Sequence, residues 1–345
     1  MQFAAIDNLR MVVGGSAAID AGLELAGRAR TSLSGEFFIL NDDAARTALA
    51  DAWRGREVPG SAVVTAHPQI IDQIAGLTGP RLSVAHYGAL APDTAPREFI
   101  HTKSLARDTN SDPEAWLATA SFGGNARHEW EVAGMFGGDA ARSVHELADA
   151  VASRDWQRQR DAISWAQGLG VYVTDPVTRH RGLAEMVESL VRDEPRHLTV
   201  AMKSIFDEQF AGELAARHSR DHLPVDVIVE RIDEPSERVL REAGITMVKP
   251  SETGPALHGN VIIADGLGLG YWGTMWGSPR SFARDGVHNL YTGGGNTLPR
   301  SQQWDRSREF GGLTSNAQAV ADLRRGFDLL DPRPHDFRGE VVRPT

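Results

Sequence analysis

Two histidines in this chain, His101 and His258, open the same frame of polar residues. The first frame reads IHTKSLARD and holds His101, Lys103 and Asp108; the second reads LHGNVIIAD and holds His258, Asn260 and Asp265. The histidines are 157 residues apart, and so are the aspartates. A serine follows each aspartate by thirteen positions, Ser121 and Ser278, again 157 apart. Imidazole changes charge near neutral pH, so it serves as nucleophile or as proton carrier. An ammonium, an amide and hydroxyls close to it suit negative charge on phosphoryl oxygens. Cleaving a phosphodiester needs a nucleophile, an acid for the leaving oxygen, and donors to the non-bridging oxygens. Three polar positions kept in register point to an internal duplication around one shared site.

The first frame matches the HxKxxxxD signature of the phospholipase D superfamily, and the chain resembles that family over most of its length. The downstream ASFGGN (120–125) is similar to the family's Gly-Ser-x-Asn segment, with Ser121 and Asn125 as the matching residues. Glu131, in HEWEVAG, lies where the family often carries an acid. The resemblance implies that the two histidines face each other across a pseudo-twofold axis. One attacks phosphorus and forms a phosphohistidine; the other protonates the leaving alkoxide and then activates water or an alcohol. The intact copy makes His101 the expected nucleophile and His258 the general acid and base. Asp108 and Asp265 are expected to hold the imidazole tautomers. Lys103, Asn260, Ser121, Asn125, Ser278 and Glu131 are expected around the phosphoryl group. The resemblance implies neither metal nor other cofactor.

The second copy departs from the family pattern. Asn260 stands where lysine is expected; its amide can donate a hydrogen bond but brings no charge. A neutral contact in place of a charge-assisted one weakens phosphoryl binding by about 1–2 kcal/mol. Arg280, in GSPRSF, occupies the place of the family's asparagine and is expected to restore the positive charge. Asn125 lies two positions late relative to the family's spacing.

The elements that must position these groups repeat as well. The first half opens with a short apolar run, RMVVGG (10–15), and EFFIL (36–40), SAVVTA (61–66) and RLSVAHY (81–87) read as strands. Helical periodicity separates them over 17–29, 44–53 and 69–77. The second half repeats the order, with strands VYVTD (171–175), HLTVAM (197–202), VDVIVERI (225–232) and ITMVKP (245–250). Its helices are 182–193, 206–218 and 235–244, the last with proline in its first turn, where the missing N–H does no harm. Alternation of this kind predicts an α/β fold with a largely parallel or mixed sheet in each half. The expected organisation is two phospholipase D-like α/β/α half-domains, 1–142 and 171–345, with the active site at their interface. Residues 143–170 are expected to connect them as helix, with Trp156 and Trp165 as packing residues.

Composition narrows the partners. The 345 residues are 41% hydrophobic and 24% charged, an ordinary globular balance with a sizeable core. Net charge is −10, whereas nonspecific nucleic-acid binders usually carry a basic face. Charge and the tryptophans near the second frame lean towards a lipid or other small phosphodiester. A nuclease is the alternative and would need an arginine-lined groove; a non-catalytic phosphate-ester binder is the other. Cysteine is absent, which excludes disulfides and thiolate chemistry. No apolar run is long enough to span a membrane, and MQFAAIDNLRMVVGG lacks the pattern of a secretory signal, so a cytoplasmic protein is expected. Both copies lie in one chain, so a monomer is expected.

Other motifs carry less. DGLGLGYWG (265–273) contains a G-x-G-x-x-G frame with no helix after it, so dinucleotide binding is not expected. YTGGGN (291–296) lacks the lysine of a P-loop. His86, His128 and His288 are expected at the surface or in packing roles, and Trp272 and Trp276 in the core or along a pocket wall. The chain has three lysines, Lys103, Lys203 and Lys249, among a large majority of arginines.

Overall fold

Short branched and aromatic runs pair as strands, and alanine- and leucine-rich amphipathic stretches cover them as helices. In the computed structural model, residues 3–65, 72, 74–87, 99–205, 207–273, 307–335 and 337 are described. The first sheet contains β1 (Leu9–Val13), β2 (Leu33–Phe37), β3 (Gly60–Thr65), β4 (Leu82–Tyr87), β6 (Ser104–Arg107), β7 (Glu114–Ala118) and β9 (Val132–Gly137). Its spatial order is β1-β9-β7-β6-β2-β3-β4. The second sheet contains β10 (Val171–Thr174), β11 (Leu198–Ile205), β12 (Val225–Ile232), β13 (Met247–Lys249), β15 (Asn260–Ala264), β16 (Leu269–Gly273) and β17 (Ser307–Thr314). Its order is β10-β17-β16-β15-β11-β12-β13, with β18 (Arg333–Pro334) added at the edge. The two orders correspond strand for strand. In each, three strands run parallel (β2-β3-β4 and β11-β12-β13) and the others pair antiparallel. The fold is therefore α/β with two mixed sheets, as the alternation of elements predicts.

The helices repeat too. In the first half α1 (Gly15–Arg28) and α2 (Asp43–Ala50) cover the outer face; in the second α5 (Gly182–Asp193), α6 (Glu208–Asp221) and α7 (Glu234–Glu242) do so. Aspartates start several of them: Asp42 accepts from the Ala45 N–H at 2.8 Å, and Asp207 and Asp233 cap α6 and α7 in the same way. The segment expected as a helical connector is two helices, α3 (Gly138–Ser153) and α4 (Trp156–Gln167), parted at the left-handed Arg154. α3 follows β9 as α8 (Ala317–Asp328) follows β17, so each repeat ends on a helix. Trp156 and Trp165, expected to pack, are 53% and 40% exposed on α4. The strand expected at 36–40 is centred earlier. Its ladder with β6 ends near Glu36, and Leu40 bridges to Phe122 instead. Of the helix expected at 69–77, residues 72, 74 and 75 are helical and 76–77 form a turn, the remaining positions lying outside the described residues.

Between the sheets runs a shared core that takes side chains from both halves, among them Leu117, Trp130 and Val132 from one and Ala201, Val261 and Trp272 from the other. Two indoles stitch it: Trp272 Nε1 donates to the Leu117 carbonyl at 3.0 Å, and Trp130 Nε1 donates to the Gly326 carbonyl at 2.8 Å. Residues before β1 also cross over. The Ile6 N–H donates to the Leu313 carbonyl at 2.7 Å, and Thr314 Oγ1 donates to the Ile6 carbonyl at 2.6 Å. The G-x-G-x-x-G frame forms the turn and strand of the β15–β16 hairpin, which has no helix N-terminus to receive a pyrophosphate. Among the described residues no helix is long and apolar enough to cross a membrane.

Glycines make room for the Trp272 indole: a methyl on Gly134 or Gly312 would come within 2.3 Å of it. Gly312→Ala is expected to lower stability by about 1–3 kcal/mol through overpacking. Urea unfolding of the variant against the wild type measures this, and an unchanged midpoint would contradict it.

Candidate active site

The polar frames sit where the two halves meet, and each histidine is held by the opposite half. β5 (Phe99–Ile100) runs parallel to the start of β17, and the next N–H, that of His101, donates to the Arg308 carbonyl at 2.9 Å. The mirror arrangement joins β14 (Ala256–Leu257) in parallel to β8 (Glu129–Trp130). There the His258 N–H donates to the Trp130 carbonyl at 3.1 Å. Each pairing brings a histidine beside a glutamate one residue past the bonded carbonyl.

His101 is buried, and its Nδ1 lies 2.9 Å from Glu309 Oε2. A carboxylate oxygen accepts, so Nδ1 carries the ring proton and Nε2 keeps its lone pair. Lys103 Nζ lies 2.9 Å from that Nε2. Phe38 closes the pocket edge-on to the imidazole, with ring centroids 4.8 Å apart, and the Lys103 ammonium stands 5.3 Å from the same phenyl centroid. Burial pushes the His101 pKa down to about 4, against the pull of Glu309 and with help from Lys103. Burial likewise lowers the Lys103 ammonium to about 8, opposed by Glu309 and Glu131.

His258 is less enclosed. Its Nδ1 lies 2.6 Å from Oε1 of the fully buried Glu131, and Thr119 Oγ1 donates to the other carboxylate oxygen at 2.5 Å. Burial alone would raise the Glu131 carboxyl, but His258, Thr119 and Lys103 outweigh it and hold its pKa below the ordinary value. Glu129 Oε2 stands 3.9 Å from the same Nδ1. Glu129, Glu131 and His258 are the one group among the described residues with the reach to hold a metal ion, their ligand atoms lying within 4.8 Å of one another. Charge on His258 is felt at His101, so the two imidazoles act within one electrostatic field.

The aspartates of the two frames are not at the histidines. Asp108 follows β6 and Asp265 follows β15, whereas the histidines precede those strands. A strand of four residues in the first half and five in the second separates the groups by roughly 13–17 Å. Asp108 has a left-handed backbone (φ 50°), and its carboxylate accepts the N–H groups of Arg30 (2.7 Å) and Thr31 (2.6 Å) and pairs with Arg107 (2.6 Å). Asp265 pairs with His197 Nδ1 at 2.7 Å and with Arg324. The expectation that Asp108 and Asp265 orient the imidazoles is therefore corrected: Glu309 and Glu131 contact the rings, and the aspartates fix the far ends of the strands.

The other expected residues divide. Lys103 and Asn260 are buried at the site, and Glu131 is there as the His258 partner. Ser121 is buried just past β7, and Asn125 is exposed on the 3-10 turn Gly124–His128. His86 lies on β4 and His128 on the same turn as Asn125. Ser278, Arg280, Trp276 and His288 lie outside the described residues. Trp272 is a core residue.

Sequence reasoning missed Glu309 and a buried network beneath it. Arg308, 1% exposed, reaches Glu36 Oε2 at 3.0 Å and also pairs with Asp175. Thr102 Oγ1 donates to Glu36 at 2.7 Å, and Tyr87 Oη donates to Asp175 at 3.0 Å. This network ties the residue after His101 to the residue before Glu309, across the two halves. Three charges buried together hold one another only while the set is complete.

No protein-family model matches the chain, and no curated protein sequence matches it. Solved structures do. Phosphatidylserine synthase from Haemophilus influenzae Rd KW20 superposes with a TM-score of 0.64 at 10% identity, covering 99% of this chain and 90% of that one. Polyphosphate kinase from Porphyromonas gingivalis gives 0.59 at 14% identity, covering 94% of this chain and 46% of that one. A mutant of yeast tyrosyl-DNA phosphodiesterase gives 0.52 at 10% identity, covering 88% and 87%.

Nitrogen-detected NMR of the histidine rings tests the geometry at His101. The ring is expected to stay neutral, with its proton on Nδ1, down to about pH 4. Glu309 favours the charged ring, so Glu309→Gln should move that midpoint lower still; a midpoint near 6.5 in both proteins would contradict the arrangement.

Proposed function

The chain has the fold of the phospholipase D superfamily, and from that we propose that it cleaves or transfers phosphodiesters through a phosphohistidine. The observation that carries the reading is the pair of imidazoles, each set by a carboxylate of the opposite half, with Lys103 against one of them. His101 is the nucleophile: its ring is neutral at pH 7, and its Nε2 lone pair is presented by the bond from Nδ1 to Glu309. Nε2 attacks phosphorus, the bond from phosphorus to the leaving oxygen breaks, and His258 gives that oxygen its proton. Water or an alcohol then gives a proton to His258 and attacks the phosphohistidine, which frees His101. Lys103 leaves the imidazole for a non-bridging oxygen, where its charge counts most as negative charge builds.

A lipid or other small phosphodiester is the substrate class we favour, on the net charge of −10. The structurally similar proteins are named for a phosphatidylserine synthase, a polyphosphate kinase and a tyrosyl-DNA phosphodiesterase, and all three names concern phosphoryl chemistry. A metal-free mechanism is part of the proposal.

Turnover of a phosphatidylcholine, a single-stranded oligonucleotide and bis(p-nitrophenyl) phosphate, each in EDTA, tests the reading. Activity on at least one is expected to survive EDTA and to fall by about 10³-fold or more in His101→Ala. Loss in EDTA with recovery on adding a divalent ion would overturn the metal-free mechanism. Activity unchanged by His101→Ala would overturn the site. The pH profile of kcat/KM should fall on the acid side near 4, as His101 gains a proton, and on the alkaline side near 8, as Lys103 loses one.

A further inference from the structure

The phosphoryl pocket has one cation from the first frame, Lys103, and an uncharged Asn260 at the matching place in the second. The pseudo-symmetry of the sheets identifies where a second cation enters. In the first half Leu33 of β2 faces Arg107 of β6; in the second, Leu198 of β11 faces Ala264 of β15. Arg107 and Ala264 are equivalent by the 157-residue repeat. Leu33 and Leu198 are therefore equivalent, and five residues further along each strand Phe38 corresponds to Lys203.

Phe38 is the residue that touches both His101 and Lys103. Its counterpart accordingly belongs beside His258 and Asn260. Alternation along β11 agrees. Val200 and Met202 enter the core of the second half, whereas Ala201 enters the core shared by the two halves, and Lys203 follows on the Ala201 side. Glu230, next to Lys203 in register on β12, follows Ile228 onto the same side. Lys203 is half-buried. Its charge is felt at Lys103, after the larger effects of burial and of the two glutamates. It is also felt, with that of His258, at Glu230, whose carboxyl is raised mainly by burial.

We propose that Lys203 is the second phosphoryl-binding cation of the site, reaching from the neighbouring strand the oxygens that a lysine at position 260 would have reached. The two halves then exchange positions for one pair of residues: phenylalanine and lysine in the first (Phe38, Lys103), lysine and asparagine in the second (Lys203, Asn260). The inference rests on the phosphodiester reading of the site.

Two measurements on the full chain test it: binding of inorganic phosphate by calorimetry, and turnover of bis(p-nitrophenyl) phosphate. Lys203→Met should weaken phosphate binding about tenfold and reduce kcat about 10- to 100-fold, with the thermal midpoint kept. Lys203→Arg should retain most of both. The double variant Lys203→Phe with Asn260→Lys, which copies the arrangement of the first half, should recover most of what Lys203→Met loses. Lys103→Met serves as the reference for losing one cation. If Lys203→Met binds and turns over like the wild type while Lys103→Met does not, the Lys203 assignment is wrong and the phosphodiester reading stands. If Lys203→Met loses both but the double variant recovers neither, Lys203 is structural and the assignment falls. A wild type that neither binds phosphate nor turns over any phosphodiester would overturn both readings.

Discussion

Each imidazole of the site depends on a carboxylate that its own half does not supply. Two short parallel pairings, β5 with β17 and β8 with β14, carry this exchange: they fix the backbone of a histidine against the residue before its glutamate. A buried glutamate is stable as an anion only with a partner, and a buried histidine keeps a defined tautomer only with an acceptor. Docking of the halves thus satisfies both groups at once, and neither half alone contains an oriented histidine. The shared core and the stitching indoles serve this alignment, since a shift of one sheet by a fraction of a residue would part both pairs.

The Arg308 network extends the same logic below the site. Its guanidinium lies between two carboxylates, Glu36 from the first half and Asp175 from the second. Burial would lower the Arg308 pKa, but these carboxylates raise it, so the guanidinium stays charged. The strand that presents Glu309 is thereby anchored one residue away, and Thr102 anchors the strand that presents His101. The chemistry above is left with little freedom to drift.

Much of this was legible in the sequence, and the parts that were not share a cause. The histidines stood out because the segment from each histidine through the strand that follows it is equally long in both halves, although the turn after that strand is six residues in the first half and four in the second. His101 to Asp108 and His258 to Asp265 therefore keep one spacing. The same regularity misled about the aspartates. They recur because both strands need their ends fixed, which is a backbone requirement, as the left-handed Asp108 and its accepted N–H groups make plain. Glu131 was legible from the family pattern, though as a phosphoryl contact and not as the His258 partner; Glu309 was hidden by an insertion, since Glu131 lies 30 residues after His101 but Glu309 lies 51 residues after His258. Register alone could not match them. Lys203 was hidden differently, because its counterpart is a phenylalanine and no search for like residues would pair the two. Trp156 and Trp165 resisted for another reason, since an amphipathic helix does not announce which of its large residues remain outside.

The segment around Ile6 has a bearing on how the molecule assembles. It lies against Leu313 and Thr314, some 308 positions along the chain. A contact that closes so large a loop is made late, because the intervening chain must be ordered before the ends can stay together. The segment before β1 would thus be among the last to find its place, and the first sheet must wait with that edge unclasped until the second is nearly complete. Duplication here has not yielded two independent folding units in tandem. It has yielded two halves clasped by a contact that joins the segment before β1 to β17.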